Sequence, residues 1–354
     1  MKYKRYVAII VALHFFLLLG FPIANDFVFQ QKEVCINGEN TCNAVGATSF
    51  IPFFRWGARD TVIEYKEEIV NNRNTSINIT TYLAVPPSLA NQEIKKIEYN
   101  PEPNEFKRDR WGQKVACYSY TIHPKETIVL SWTAEAEIFN IRYILLSSLV
   151  KGDIPEDVFY AYTADDEKYK IYHPLIQSIV DEVAANETNI LIKAIKLHDY
   201  VIDHLDYALA GGWDDAPTIL ERGNGSCSEY CFAYIALCRA AGIPARYKGG
   251  TYLGERVPHV DDIFHRMVQI YMPGYGWIPV DMTFDEWIFH HYGFGAHTNK
   301  FFALMVGGGS SEFLSWTYNS HHVFPSGANI STNSSATWHQ WERVKKIRQS
   351  YGKV

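Results

Sequence analysis

The chain has 354 residues, a formal net charge of −6 and a hydrophobic content of 47%. This length allows two domains and a substantial core. The basic residues are dispersed along the chain and are outnumbered by acidic ones, so the sequence predicts no nucleic-acid partner.

The N-terminal residues predict export. Lys2, Lys4 and Arg5 precede an apolar run from residue 7 to about residue 24, which is typical of a secretory signal that is cleaved near Ala24. The run is also at the lower limit for crossing a bilayer, so an uncleaved anchor that attaches the protein to a membrane is the alternative. Either interpretation of residues 1–24 predicts an extracytoplasmic protein, secreted or anchored.

Two cysteines, Cys35 and Cys42, enclose a short turn-rich loop just after this segment. In an exported chain we expect them to form a disulfide, which would contribute roughly 2–3 kcal/mol of stability. Two free thiols in a frayed terminus are the alternative. The sequence assigns no partner to Cys117.

Residues 25–165 have the pattern of a β-rich domain. Runs that alternate in polarity or contain β-branched residues occur at 61–69, 76–85, 114–122 and 127–137, and turn-forming residues separate them. Short strands divided by turns at this spacing predict a β-sandwich-like N-terminal domain.

From residue 169 the pattern becomes helical, with helices predicted at 171–185 and 190–207. A further helix is predicted to start at Cys227, because small and apolar residues recur from there at spacings of three and four. Gly242 and Pro244 end it. Strand-like runs follow, so helices first and antiparallel strands after predict an α+β core over residues 166–328.

Cys227 is a candidate nucleophile because of its place in this helix. It lies in the first turn, where unpaired backbone N–H groups and the positive end of the helix dipole favour a thiolate and an oxyanion. The alternative is that a cysteine on a buried helical face acts only as a small hydrophobic residue. We adopt that alternative for Cys231 and Cys238, whereas the polar, glycine-rich segment before Cys227 favours the functional interpretation.

A predicted hairpin carries the other two candidate residues. Residues 265–272 form one strand, 273–276 a turn and 277–281 the returning strand, so His265 and Asp281 fall toward the same open end. A symmetrical turn leaves them about three residues out of register, a gap that a bulge would close. Such a histidine can take a thiol proton while the carboxylate fixes its tautomer. The alternatives are a solvated Asp281 and His259 as the base, although His259 lies in a loop-like segment.

Three segments together resemble the transglutaminase-like superfamily. They are residues 225–230 (Gly-Ser-Cys-Ser-Glu-Tyr), 239–246 (Arg-Ala-Ala-Gly-Ile-Pro-Ala-Arg) and 273–281 (Pro-Gly-Tyr-Gly-Trp-Ile-Pro-Val-Asp). The resemblance covers roughly residues 170–325, and the segments occur in the order that the family shows. Members of this family often carry an N-terminal β-domain as well.

This resemblance implies a papain-like triad in which Cys227 is the nucleophile, His265 the general base and acid, and Asp281 the residue that orients the histidine. The sequence departs from the family pattern after the histidine, where small, aromatic and acidic positions are common in the family. We expect these changes to alter the wall of the cleft and hence the choice of substrate. The residues at those positions here are Arg266, Met267 and Gln269.

No metal ion and no cofactor are expected. No cysteine pair has the spacing of zinc ligands, and the doublets His290-His291 and His321-His322 lack partner ligands nearby in the sequence. Residues 329–354 begin with a linker-like polar composition. The tail that follows has apolar residues at spacings of about three, which predict an amphipathic helix that contains Trp338, Trp341, Val344 and Ile347.

Together these features predict an exported thiol-dependent enzyme with a peptide or protein amide as substrate. With water as the acceptor it is a peptidase or amidase, and with an amine it is a cross-linking transferase. We slightly favour hydrolysis because water is always present. A binding module or a surface-structural protein on the same fold is the alternative, and an ordinary thiol pKa at Cys227 would favour it.

Overall fold

A computed structural model describes residues 53–209, 212–287 and 291–339, with only the backbone described at 286 and 287. The predicted signal or anchor segment 1–24 and the Cys35–Cys42 pair lie outside the described residues. The part of the predicted tail helix beyond residue 339 lies outside them too.

The N-terminal part of the chain consists of strands. They are β1 (Phe53–Asn71), β2 (Ile77–Ala84), β3 (Gln92–Asn100), β4 (Glu105–Arg108), β5 (Lys114–Ile122) and β6 (Thr127–Tyr143). Polarity alternates along β2 and along the second half of β1, so one side of each strand is buried. Their buried side chains join one hydrophobic core. The expected β-sandwich-like architecture is confirmed.

Helices dominate the next part. They are α1 (Glu156–Thr163), α2 (Pro174–Ala184), α3 (Ile190–His204), α4 (Ala216–Arg222) and α5 (Cys227–Ala240), with the short strands β7 (Asp206–Tyr207) and β8 (Asn224–Gly225) between them. The Asn189 side chain caps α3, and the Asp215 side chain caps α4. Helix α5 is buried along almost its whole length, because α2, α3 and α4 pack around it and a sheet packs against it.

The remaining elements are mostly strands. They are β9 (Ala245–Tyr252), β10 (His259–Asp261), β11 (His265–Met272), β12 (Gly276–Val280), the helix α6 (Met282–Trp287), β13 (Ala296–His297), β14 (Phe301–Gly307), β15 (Ser320–Val323) and β16 (Ile330–His339). Four of them form an antiparallel sheet in the order β12-β11-β9-β14 against α5. Helices followed by antiparallel strands confirm the predicted α+β class.

Late strands complete both sheets of the N-terminal region. β15 pairs with β2, giving a sheet in the order β15-β2-β5-β4. β16 pairs with β1 along ten residues, and β10 and β13 join the same larger sheet, which has the order β10-β16-β1-β6-β13 with β3 on β6. The segments before and after the helical core therefore share two sheets.

The prediction of a polar linker from residue 329 is wrong for residues 330–339, which form β16. The serines and threonines of this segment lie on or near the surface, whereas Ala336 and Trp338 alternate into the core, and Trp338 is only 1% exposed. A mostly polar strand that buries only two side chains resembles a linker in composition. The spacing of Trp338 and Trp341 predicts a helix, but Trp338 lies in β16, where buried and less buried side chains alternate with the period of two that is typical of a strand.

None of the helices in the described parts of the chain combines the length and apolar character that a membrane crossing requires.

Candidate active site

Cys227 is the first residue of α5, as the sequence predicted. The turn before it is fixed by the buried carboxylate of Glu229, which accepts the backbone N–H of Ser226 over 2.8 Å and the Nη2 of Arg222 over 2.6 Å. A Cβ atom added at Gly225 would lie 2.7 Å from the Cβ of Glu229, so this approach requires glycine. The glycine and the carboxylate together set the position of the thiol.

His265 and Asp281 lie on the same face of the β11–β12 hairpin. The pairing of Val268 with Val280 sets the register, so Asp281 is opposite Met267, two positions from His265 along β11. Since side chains alternate with a period of two, this offset directs both toward the same side. The Nε2 of His265 and the Oδ2 of Asp281 are 2.9 Å apart. His265 and Asp281 are therefore two residues out of register rather than the predicted three, because the turn that joins β11 and β12 has three residues instead of four. No bulge is needed to bring them together.

Two further side chains hold Asp281. The Tyr252 hydroxyl donates to its Oδ2 over 3.3 Å, and the Thr283 hydroxyl donates to its Oδ1 over 3.0 Å. The Tyr252 ring also packs on the His265 ring, with 5.2 Å between their centroids. Thr283 lies two residues after Asp281, which is a local signal for a side-chain contact. Tyr252 comes from β9, and no sequence signal pointed to it.

The ring of His265 lies close enough to the Cys227 thiol for each to shift the pKa of the other. Because Nε2 of the ring faces Asp281, Nδ1 is the nitrogen available to the sulfur. Burial alone raises the pKa of Cys227, but the hydrogen bond from His265, the charge on that ring and the backbone N–H of Arg266 lower the pKa overall. These contacts favour a thiolate.

The same contacts favour a charged histidine. Burial lowers the pKa of His265, but the negative charge of Asp281 and the hydrogen bonds to Asp281 and Cys227 raise it to about 10. Burial likewise raises the pKa of Asp281, yet the charge and hydrogen bond of His265 bring it below its ordinary value. A thiolate beside an imidazolium held by a carboxylate is the arrangement of an activated sulfur nucleophile.

The competing histidine, His259, lies elsewhere. It is in β10, where it pairs with Trp338 of β16, and its ring packs against Gly254. The neighbours of Cys227 that lower its thiol pKa are His265 and Arg266.

The residues that depart from the family pattern are in the interior. Arg266 is 1% exposed, its Nη2 donates to the carbonyl of Trp316 over 2.5 Å, and four aromatic rings surround its guanidinium. Met267 is buried with Phe301, and Gln269 is buried too. Their side chains therefore pack inside the protein, and an effect of these residues on the cleft wall and on the choice of substrate stays a prediction.

The four cysteines among the described residues are free thiols: Cys117, Cys227, Cys231 and Cys238. Burial raises the pKa of Cys231 and of Cys238, so neither thiol competes with Cys227 in reactivity. Away from these cysteines, the described side chains of His198, Asp199 and His291 come close enough to hold a metal ion.

Comparison with known proteins relates the middle of the chain to one family. Residues 177–282 match the family model of the transglutaminase-like superfamily. An uncharacterized protein of Haemophilus influenzae is 26% identical over 196 residues, which is 44% of this chain and 53% of that protein. The chain therefore spans about half the length of this relative.

Solved structures are similar as well. A candidate cysteine protease from Cytophaga hutchinsonii has a TM-score of 0.57 and 17% identity over 80% of this chain and 92% of its own, which shows a shared fold. The periplasmic domain of TgpA from Pseudomonas aeruginosa has a TM-score of 0.33 and 18% identity over 61% of this chain and 74% of its own. The transglutaminase-like domain that the family model finds is residues 177–282, and these include Cys227, His265 and Asp281.

Proposed function

We propose that this chain is an exported thiol-dependent acyl-transfer enzyme that acts on amide bonds of peptides or proteins. One observation carries the proposal: the ring of His265 is hydrogen-bonded to Asp281 through Nε2 and interacts with the Cys227 thiol as well. A buried cysteine with only a packing role has no need of a charged histidine held by a carboxylate. This pairing favours an enzyme over a binding module.

In the first half of the reaction, the thiolate of Cys227 attacks the amide carbonyl carbon. The carbonyl oxygen becomes an oxyanion near the start of α5, where backbone N–H groups lack helical partners. The intermediate collapses as the C–N bond breaks, and His265 gives its Nδ1 proton to the leaving amine. A thioester on Cys227 and a neutral His265 remain.

In the second half, His265 removes a proton from the acceptor, which attacks the thioester carbon. The C–S bond breaks, the thiolate is released and the imidazolium is restored. Water as the acceptor gives a carboxylic acid, whereas an amine gives a new amide. Asp281 keeps Nε2 protonated throughout, and Tyr252 and Thr283 keep Asp281 in place.

Hydrolysis is the proposed outcome, and transamidation is the alternative for the same thioester. A peptide amide incubated with the enzyme and a primary amine separates the two by mass spectrometry. Hydrolysis predicts free acid as the main product at every amine concentration. A dominant amine adduct would assign the enzyme to the transferases while leaving the thiol mechanism intact.

Export rests on the N-terminal sequence, in which basic residues precede the apolar run that ends near Ala24. Expression of the full chain in a bacterial host, with mass measurement of the product, tests it. Loss of about 24 residues from an extracytoplasmic product is expected. A full-length product in the membrane fraction would indicate an anchor, and a full-length product in the cytosol would contradict export.

The central test is the pH dependence of iodoacetamide alkylation at Cys227, measured by peptide mass spectrometry. The wild type and the control His259→Ala should label rapidly at about pH 6, whereas His265→Ala should not, because the thiolate then loses its imidazolium. If all three label slowly and only approach full rate near about pH 8.5, the thiol is ordinary and the enzyme proposal fails.

A further inference from the structure

A second polar cluster lies outside the thiol site. It joins α3, which carries His198 and Asp199, to the segment after α6, which carries His291. The Nδ1 of His198 is 3.3 Å from the Oδ1 of Asp199, and the Nε2 of His291 is 2.5 Å from that same oxygen. All three ligand atoms lie within 4.8 Å of one another.

A buried carboxylate prepares His198 to act as a ligand. Asp285 of α6 accepts the Nε2 of His198 on its Oδ2 at 2.9 Å, and both side chains are fully buried. With Nε2 bonded to Asp285, Nδ1 is the ring nitrogen that faces Asp199 and would bind the ion. Metal-binding histidines almost always have such a hydrogen-bonded partner on the other ring nitrogen. A divalent ion would also offset the negative charges of Asp199 and Asp285.

We propose that His198, Asp199 and His291 bind a divalent transition-metal ion, with zinc as the best match. Imidazole nitrogens suit zinc better than calcium or magnesium, and two histidines with one carboxylate leave a fourth position for water. His198 is buried, but Asp199 and His291 are each more than a quarter exposed, so the ion has a route from solvent.

Two of the ligand–ligand distances can be compared with those around a tetrahedral ion. Ligands at about 2.0–2.2 Å from zinc lie about 3.3 Å from one another. The pair of His198 and Asp199 is already at 3.3 Å. His291 and Asp199, at 2.5 Å, have to separate by about 0.8 Å.

The ion would also hold the segment that follows Asp281. Asp285 accepts the backbone N–H of Gly293 on its Oδ1, and the backbone N–H of Asp281 donates to the carbonyl of Gly293 over 3.3 Å. Binding at His291 therefore ties this segment to α3. The sequence predicted no metal because His291 has no ligand nearby in the chain, whereas Asp199 lies 92 positions away.

Zinc titration by calorimetry tests this, using the full chain with Cys227→Ala so that the reactive thiol cannot bind the metal. One equivalent of zinc should be lost in His291→Ala and in Asp199→Asn. It should be kept in the control His321→Ala, which removes a half-buried histidine from β15. Asp285→Asn should weaken binding roughly 10- to 100-fold, as loss of a carboxylate behind a ligand does.

Two further measurements test zinc binding independently of calorimetry. Zinc should raise the melting temperature of the parent and of His321→Ala but not of His291→Ala, and cobalt(II) in its place should give the intense visible bands of a tetrahedral ion. If the parent binds no zinc, or if His291→Ala and Asp199→Asn bind as much as the parent, the cluster is a metal-free chain of ion pairs and the proposal is wrong.

Discussion

His265 is hydrogen-bonded to Asp281, and in the proposed mechanism it gives a proton to the leaving group and later removes one from the acceptor. Its pKa of about 10 reflects the negative charges beside it, which outweigh the effect of burial. The charge and hydrogen bonding of this histidine lower the pKa of the Cys227 thiol below its ordinary value, which favours the thiolate. At the residue scale, reactivity depends on this pair rather than on the cysteine alone.

Replacing the sulfur should separate chemistry from fold. Cys227→Ala should lower turnover on the order of 10³-fold or more, because no thioester can form. Its free energy of unfolding should change by no more than about 1 kcal/mol, since the side chain is small and lies in the first turn of α5. Cys231→Ala, one turn further along the helix, is the matched control and should keep its turnover. Activity in Cys227→Ala equal to that of the wild type would exclude the mechanism.

Removing the charge of Asp281 should narrow the pH–rate profile. The charge of Asp281 is the main influence that raises the pKa of His265, so in Asp281→Asn the imidazolium loses its proton at lower pH. The Cys227 thiol, with a weaker partner, loses its proton at higher pH. On the acid side, kcat/KM should therefore begin to fall at a higher pH than in the wild type. On the alkaline side, it should begin to fall at a lower pH. Thr283→Ala, which removes one hydrogen bond to Asp281, should shift the acid and alkaline limbs of the pH–rate profile less than Asp281→Asn does. An unchanged profile in Asp281→Asn would contradict this account.

At the scale of single elements, the start of α5 depends on the close approach of Gly225 to Glu229. One oxygen of this buried carboxylate accepts from Arg222 and the other from Ser226, so the Glu229 side chain cannot move away without breaking those hydrogen bonds. This turn sets the position of the thiol relative to β11.

Gly225→Ala should therefore destabilise the protein by about 1–3 kcal/mol, because the new methyl group overlaps Glu229. It should also slow alkylation of Cys227 at about pH 6, since the thiol is displaced from His265. Gly212→Ala is the matched control, because an added Cβ meets nothing within 4 Å there. Urea unfolding and labelling rates measure both effects, and equal behaviour of the two variants would argue against the turn as the cause.

Elements with a local pattern were predictable from the sequence. The runs at 76–85 and 114–122 closely match β2 and β5, and the predicted helix starts at Cys227 as observed. The hairpin was also visible, because glycines and a proline mark its turn. β3 and β4 were not predicted.

The contacts that the sequence did not predict are those that depend on pairing between distant segments. The offset between His265 and Asp281 follows from the loop length, and a change of one residue would place them on opposite faces. Tyr252 reaches Asp281 only because β9 lies beside β11. Asp199 and His291 are likewise brought together by the fold alone.

At the scale of the whole molecule, β16 joins the β-rich region to the transglutaminase-like core. Trp338 is buried in the shared core, and its Nε1 donates to the Thr251 hydroxyl of β9 over 3.2 Å. Thr251 precedes Tyr252, so a strand near the end of the described chain supports a residue that holds Asp281.

Trp338→Ala should cost roughly 3–5 kcal/mol of unfolding free energy, as loss of a buried aromatic side chain does. Trp56→Ala is the matched control, because Trp56 is 49% exposed, and it should change stability by about 0.5 kcal/mol or less. Denaturant midpoints measure both. Similar midpoints for the two variants would show that β16 is not an integral part of the core.

The position of β16 also has a consequence for how the chain is made. β1 is synthesised early, yet one of its two edges pairs with β16. Asn71, for example, can pair with Ile330 only after about 260 more residues have been made. A nascent chain that has emerged only as far as α6 presents this edge unpaired, and unpaired edges invite association with other chains. Both sheets are therefore complete only after β15 and β16 have left the ribosome, and the contact of Trp338 with β9 beside the thiol site can form only then.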